Sequence, residues 1–222
     1  MPHVPPTSTS KAAGCEFCAE LQSPDRTWFR KVYGHVIDTR IVQRTDNFAA
    51  LPTIGQLFEG SYLIIPTVHV ERYTELSIAL QAEVTEFAAD IEARLRRYGP
   101  TIVFEHGASS VAGTGCGVYH AHIHIVPLPR NALSDEFVAS GDWQPATLVD
   151  AWQAASSSTE YLMIRDTSNK VSLVTNTHLG SPLGSQFMRK RLVQLFGIAQ
   201  PWDWREYAAP EPKLLRSVDA LR

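Results

Sequence analysis

The chain has 222 residues, 44% of them hydrophobic and 19% charged, which is the balance of a water-soluble globular protein with a real core. Its formal net charge is −3, so no global field draws nucleic acid or an anionic substrate, and any anion site has to be built locally. Three cysteines, two of them spaced Cys-x-x-Cys, argue for a reducing compartment and a metal over a disulfide framework, and no apolar run reaches the length of a membrane span.

Residues 1–13 are rich in Pro, Ser and Thr and lack the apolar core of a signal peptide, so a disordered arm and a cytoplasmic protein are the expectations. Cys15-Glu16-Phe17-Cys18 follows. By itself this spacing fits a redox pair, half of a zinc site or coincidence, and the absence of a βαβ pattern after it weighs against the redox reading. From Lys31 to Gln43, Val32, Val36, Ile37, Ile41 and Val42 alternate with polar residues and suggest a strand. Thr45-Asp46-Asn47 is a turn, Phe48 to Leu51 restarts a strand, and Tyr62-Leu63-Ile64-Ile65-Pro66 reads as a buried strand ended by proline, with His69 three residues on.

A long helix is expected over about Glu75 to Tyr98, because Leu76, Leu80, Val84, Phe87, Ile91 and Leu95 recur at intervals of three and four. Gly99-Pro100 stops it, and Thr101 to His106 forms the next strand. The glycine-rich segment from Ala108 to Gly115 leads into His120-Ala121-His122-Ile123-His124-Ile125-Val126. Strict alternation makes residues 117–126 a strand, antiparallel to 101–106, with three imidazoles in one row about 13 Å long at ~3.3 Å per residue. Such a row calls for a phosphate, a metal or both opposite it. Three histidines of structural purpose, or a three-histidine zinc centre, are the competing readings, the latter made harder by the reach required from the third position. Beyond Pro129 a helix near 145–156, a hairpin pairing 161–165 with 171–175, a helix starting at Ser185 and an aromatic tail with Trp202 and Trp204 complete the pattern.

The ordered set formed by Cys15-Glu16-Phe17-Cys18, the Gly60–His69 strand, the long helix and His120-Ala121-His122-Ile123-His124-Ile125-Val126 resembles the histidine triad (HIT) superfamily over about residues 14–130. The resemblance implies an α+β fold, a HIT-like antiparallel sheet with a long helix packed across it, often as a homodimer. Residues 131–222 are then a C-terminal α/β extension packed on a 14–130 core domain. It implies a nucleotide hydrolase acting at the α-phosphate of a dinucleoside polyphosphate or nucleoside phosphoramidate, through a covalent nucleotidyl-histidine on His122. His124 would contact phosphate oxygens or help move the proton, and backbone N–H groups of Gly115, Cys116 and Gly117 would hold the same oxygens. Nucleotidyl transfer by the same intermediate, and a non-catalytic nucleotide-binding module, are the alternatives. Zinc-bearing members imply Cys15, Cys18, His69 and His120 as ligands of a closed, structural Zn²⁺. A small nucleotide is the expected partner; nucleic acid and membrane are not.

The chain departs from the family pattern around the phosphate. Thr53 stands where many members carry an aspartate, Glu105-His106-Gly107 where an asparagine is usual, and Cys116-Gly117 where Gln-Ser is usual. Glu105 beside a phosphate would repel it unless protonated or paired, and is carried as a substrate-binding candidate. Gln186 and Arg189 are candidates for a C-terminal contribution that caps the site.

Overall fold

The computed structural model describes residues 14–110, 118–138, 144–175 and 183–222. Seven strands form one antiparallel sheet: β1 (Gln43–Arg44), β2 (Phe48–Pro52), β3 (Tyr62–Pro66), β4 (Thr101–Ala108), β5 (Ile123–Pro127), β6 (Glu160–Arg165) and β7 (Val171–Thr175). Their spatial order is β1-β2-β3-β5-β4-β6-β7, so β5 lies between β3 and β4 in the interior of the sheet. Its register is fixed on both sides, with His124 opposite Leu63 of β3 and opposite Phe104 of β4.

Among the described residues six helices surround the sheet: α1 (Glu16–Gln22), α2 (Trp28–Tyr33), α3 (Ile78–Leu95), α4 (Leu148–Ala154), α5 (Phe187–Phe196) and α6 (Pro212–Leu221). The long helix expected from the 3–4 periodicity is α3. Ser77 caps it by accepting from the Leu80 N–H, and Val84, Phe87, Ala88, Ile91 and Leu95 are its buried stripe. A short 3-10 turn, Arg96–Tyr98, carries the chain to Gly99 at φ 127°, where a Cβ would sit 2.2 Å from the Leu128 carbonyl oxygen. Only glycine meets both conditions there.

The two faces of the sheet bury different things. One face carries Tyr62, Ile64, Val103, Ile123, Ile125, Tyr161 and Met163 against α3 and α4. The alternating residues, including Leu63, Ile65, Ile102, Phe104 and Val126, point to the opposite face. That face is covered by α1 through Phe17 and by α5 through Met188 and Leu192. Each such fully buried Leu, Ile, Phe or Met side chain contributes roughly 1.5–3 kcal/mol by leaving water. β6 and β7, joined at Asn169 in a left-handed turn (φ 67°), extend the same sheet beyond β4.

Two local expectations are corrected. The stretch 31–43 is not a strand: α2 begins at Trp28 with Thr27 accepting from the Arg30 N–H at 3.0 Å, and only Gln43–Arg44 pairs with β2. The physical reason is spacing, since Phe29 and Tyr33 lie one helical turn apart and are both buried. The histidine strand is also shorter than its alternation suggests. β5 starts at Ile123, so His120 and His122 precede the ladder and only His124 lies within it. The β4–β5 pairing ends at Phe104 and His124, which frees the preceding segment to send His120 and His122 in different directions.

Candidate functional site

The segment leading into β5 divides its histidines between two adjacent sites. His120 is fully buried and meets the amino-terminal arm. Its Nδ1 lies 3.4 Å from Cys15 Sγ and 3.5 Å from Cys18 Sγ, and His69 Nδ1 lies 3.3 Å from Cys18 Sγ. One ligand atom from each of Cys15, Cys18, His69 and His120 falls within 4.8 Å of all the others. A tetrahedral ion with bonds of about 2.0–2.3 Å spaces its ligands by roughly 3.3–3.8 Å, so these four residues form a cluster able to bind a metal ion.

The hydrogen bonding of His120 fits that use. Its Nε2 lies 3.0 Å from the Pro66 carbonyl oxygen, which can only accept, so Nε2 carries the hydrogen and Nδ1 presents its lone pair to the two sulfurs. Burial, with lesser help from neighbouring His69 and His122, pushes the His120 pKa down to about 3 and keeps the ring neutral. Burial and the neighbouring Cys15 push the Cys18 thiol up to about 12. In the metal-free protein Cys18 is therefore a thiol, and metal uptake must release its proton.

Beside this cluster, on the sheet face opposite α3, lies an open cleft of about 850 Å³, the solvent at its mouth included. His122 and His124 line its floor with Leu63, Phe104 and His106. Phe17 of α1, Trp28 and Phe29 of α2, and Phe187 to Arg189 of α5 form walls, with Trp204 from the tail. Phe17 touches both sites, its ring centroid 5.7 Å from that of His120 and 5.5 Å from that of His122. His124 stacks on Phe104 at 4.4 Å and 8°, and its centroid lies 5.1 Å from that of His122. Burial holds the His124 pKa well below the usual 6.5, with charge on His122 and Arg189 adding to the effect.

His122 Nδ1 lies 2.7 Å from the carbonyl oxygen of His120. The carbonyl can only accept, so Nδ1 donates and the lone pair of the neutral ring falls on Nε2. A backbone carbonyl thus fixes the tautomer.

Two guanidinium groups border the cleft, one of them neutralised by a carboxylate and one not. Arg40 is buried and bidentate on Glu20 of α1, at 2.8 and 2.6 Å, and donates to the Pro52 carbonyl at 2.8 Å. Arg189 donates to the carbonyls of Gly55, at 2.7 Å, and Trp202, and among the described residues it makes no ion pair with a carboxylate. Burial lowers its pKa to about 10, which leaves it charged at neutral pH. Gln186 also borders the cleft, in a left-handed backbone conformation (φ 56°), but its side-chain amide is spent on Asp203 and on the Trp204 N–H.

The sequence-based candidates are thus brought together unevenly. His122, His124, Gln186 and Arg189 share the cleft, and Cys15, Cys18, His69 and His120 share the metal cluster. Glu105 does neither. It follows Phe104 on β4, so its side chain points to the α3 face, 1% exposed, where it accepts from the Tyr73 N–H (3.0 Å), Trp152 Nε1–H (2.7 Å) and Tyr161 hydroxyl (2.6 Å). The pairing sought for it exists in the core, where burial raises its pKa. Gly115, Cys116 and Gly117 lie outside the described residues. Of the residues the candidates omitted, His106 was legible, because it shares the period-2 face of Phe104 and His124 on an expected strand. Arg40 and Trp28 carried no such signal.

An α+β protein with a two-sulfur, two-imidazole metal cluster beside a histidine-floored cleft is the class these features define. Residues 35–131 match the family model of the HIT domain, so this segment of the chain carries the histidine triad fold. Both cysteines of the metal cluster, and the cleft walls from α1, α2, α5 and the tail, lie outside the matched segment. No curated protein sequence matches the chain. Similar solved structures include a hypothetical protein from Leishmania major, 26% identical with a TM-score of 0.40, covering 54% of this chain and 76% of that one. A zinc-bound histidine triad family protein from Mycobacterium smegmatis is 20% identical with a TM-score of 0.40, covering 55% of this chain and 80% of that one. A HIT family protein from Bacillus anthracis is 20% identical with a TM-score of 0.39, covering 51% and 72% respectively. A HIT domain implies nucleotide-binding hydrolase or transferase chemistry. No helix among the described residues is long and apolar enough to cross a membrane.

Proposed function

We propose that the protein is a HIT-type hydrolase that cleaves at the α-phosphate of a nucleotide derivative through a covalent nucleotidyl intermediate on His122. The observation that carries this reading is the His122 tautomer: Nδ1 donates to the His120 carbonyl, so Nε2 holds the nucleophilic lone pair at the floor of the cleft. Nε2 attacks phosphorus, the bond to the leaving group breaks with its electron pair, and the imidazolium so formed keeps its Nδ1–H bond to the carbonyl. Water then attacks phosphorus and the imidazole departs, which splits one difficult displacement into two easier ones. Arg189 and His124 would hold the phosphate oxygens, with backbone N–H groups of residues 115–117, while Gln186 fastens the tail that closes the wall. Glu105 has no part in this reading because it faces the other side of the sheet.

The metal in this reading is Zn²⁺ bound by Cys15, Cys18, His69 and His120. Four protein ligands leave no open position, so the ion supplies a cross-link and no Lewis acid for the substrate. Its function would be to fasten α1, and with it Phe17, to the segment that carries His122.

The test is turnover and intact-protein mass spectrometry with adenosine, guanosine, uridine and cytidine 5′-phosphoramidates and the corresponding dinucleoside tetraphosphates. The parent protein should gain the mass of one nucleotidyl group. His122→Ala should lose both the adduct and turnover, the latter by at least about 10³-fold, while keeping its metal. Undiminished turnover in that variant sinks the mechanism. Binding across the panel without turnover by the parent makes the protein a nucleotide-binding module, and phosphorylated or sugar-linked products formed with added acceptors make it a transferase.

A further inference from the structure

His106 and Glu160 are a buried imidazole–carboxylate pair that the mechanism above does not use. His106 Nε2 lies 2.8 Å from Glu160 Oε1, with the two side chains 7% and 3% exposed. A carboxylate accepts, so Nε2 carries the hydrogen and the lone pair of the neutral ring falls on Nδ1. That Nδ1 is buried and has no hydrogen-bond partner. Native proteins seldom leave such an acceptor unmet, and where they do the exception calls for a role or a missing ligand.

The position of His106 says which ligand. Along β4 the residues on the cleft face are Ile102, Phe104 and His106, and on the antiparallel neighbour they are Val126, His124 and then His122. Phe104 stands opposite His124 at the end of the pairing, with His106 the next same-face residue along β4 and His122 two residues before His124 in the segment leading into β5. Both rings border the same cleft. Glu160 reaches His106 along the same sheet face from β6, the strand on the other side of β4 from β5, and therefore orients the imidazole from the flank of the cleft floor.

We infer that His106 is the general base for the second half-reaction, oriented by Glu160 and acting on the acceptor that resolves the His122 adduct. The inference rests on the His122 reading. As the oxygen of water bonds to phosphorus, its proton passes to Nδ1 of His106. The bond between phosphorus and His122 Nε2 breaks, and its electron pair returns to the imidazole. The imidazolium of His106 sits against the Glu160 carboxylate and gives its proton to solvent once the nucleotide leaves. Glu160 is a positioning residue in this scheme.

Single-turnover mass spectrometry with the same phosphoramidates separates the two halves. In His106→Gln the adduct should form at the parental rate and decay about 10²-fold more slowly, the usual contribution of a positioned base. Fluoride or azide, which have no proton to surrender, should restore its decay. Glu160→Gln should slow the same phase by a smaller factor, and serves as the test if His106→Gln does not fold. Parental decay in both variants, or equal slowing of formation and decay, overturns the assignment. A structural link alone would lower the melting temperature and leave the partition between the two phases unchanged, which also overturns it. A parent protein that forms no adduct refutes the His122 reading itself, an outcome distinct from an adduct that forms and decays without His106.

Discussion

His124 shows how enclosure decides the charge of a single side chain. Stacked on Phe104 and close to His122 and Arg189, it has a pKa held well below 6.5 by burial first and by neighbouring positive charge second. Below about pH 6.5 the unfolded chain takes up a proton that the folded ring does not, so stability is lost as the pH falls, by about 1.4 kcal/mol per unit for one such group. Urea denaturation at pH 7.5 and 5.5 should show this loss in the parent, and His124→Asn should reduce it by roughly 1.4 kcal/mol. His120, depressed to about 3 for the same reason, keeps a residual slope in the variant. Equal slopes in the two proteins would mean that His124 titrates normally. At this scale the sequence was informative about which residues matter and silent about their state. The alternation of His122 and His124 was visible, but the Nδ1–H tautomer of His122 depends on a turn at His120 that no spacing announces. Glu105 was visible too, yet its parity on β4 turned it into the core, a consequence of strand phase and not of residue type.

Among the elements, α1 depends on others most. Its seven residues are too short to be helical alone, and it has no side-chain cap. What holds it is tertiary: the metal cluster at Cys15 and Cys18, Phe17 in the core, and the bidentate pair of Glu20 with Arg40, whose side chains are 6% and 3% exposed. Removing one partner strands a buried charge, so Arg40→Met or Glu20→Leu alone should cost about 3–5 kcal/mol in chemical denaturation. The double replacement should recover most of that loss; a double variant as unstable as either single one would show that the charge is not the cause. The long or strongly periodic elements, α3, β2 to β4 and the β6–β7 hairpin, were legible because each carries its own pattern of burial. α1, α2 and the short β1 were not, because their conformation comes from contacts with distant parts of the chain.

For the whole molecule, the metal cluster and the cleft share Phe17, so loss of metal should be felt beyond its ligands. Treatment with a chelator should lower the melting temperature by at least about 5 °C, and Cys18→Ser should behave as the chelated parent does. Differential scanning fluorimetry with metal analysis checks both. One metal per chain that survives loss of Cys15 and Cys18 but not of His122 and His124 would refute the closed four-ligand site. The interior place of β5 has a different consequence, for how the molecule is made. β3 and β4 fix its floor, but Phe17 and Arg189, which wall the cleft, are far apart in sequence and must be brought together across the whole fold. Joining distant segments carries the larger loop-closure entropy, so the sheet has every reason to assemble first and the cleft last. A newly made chain would then hold His124 in register before it has a chamber around it, and the cleft would be complete only when folding is.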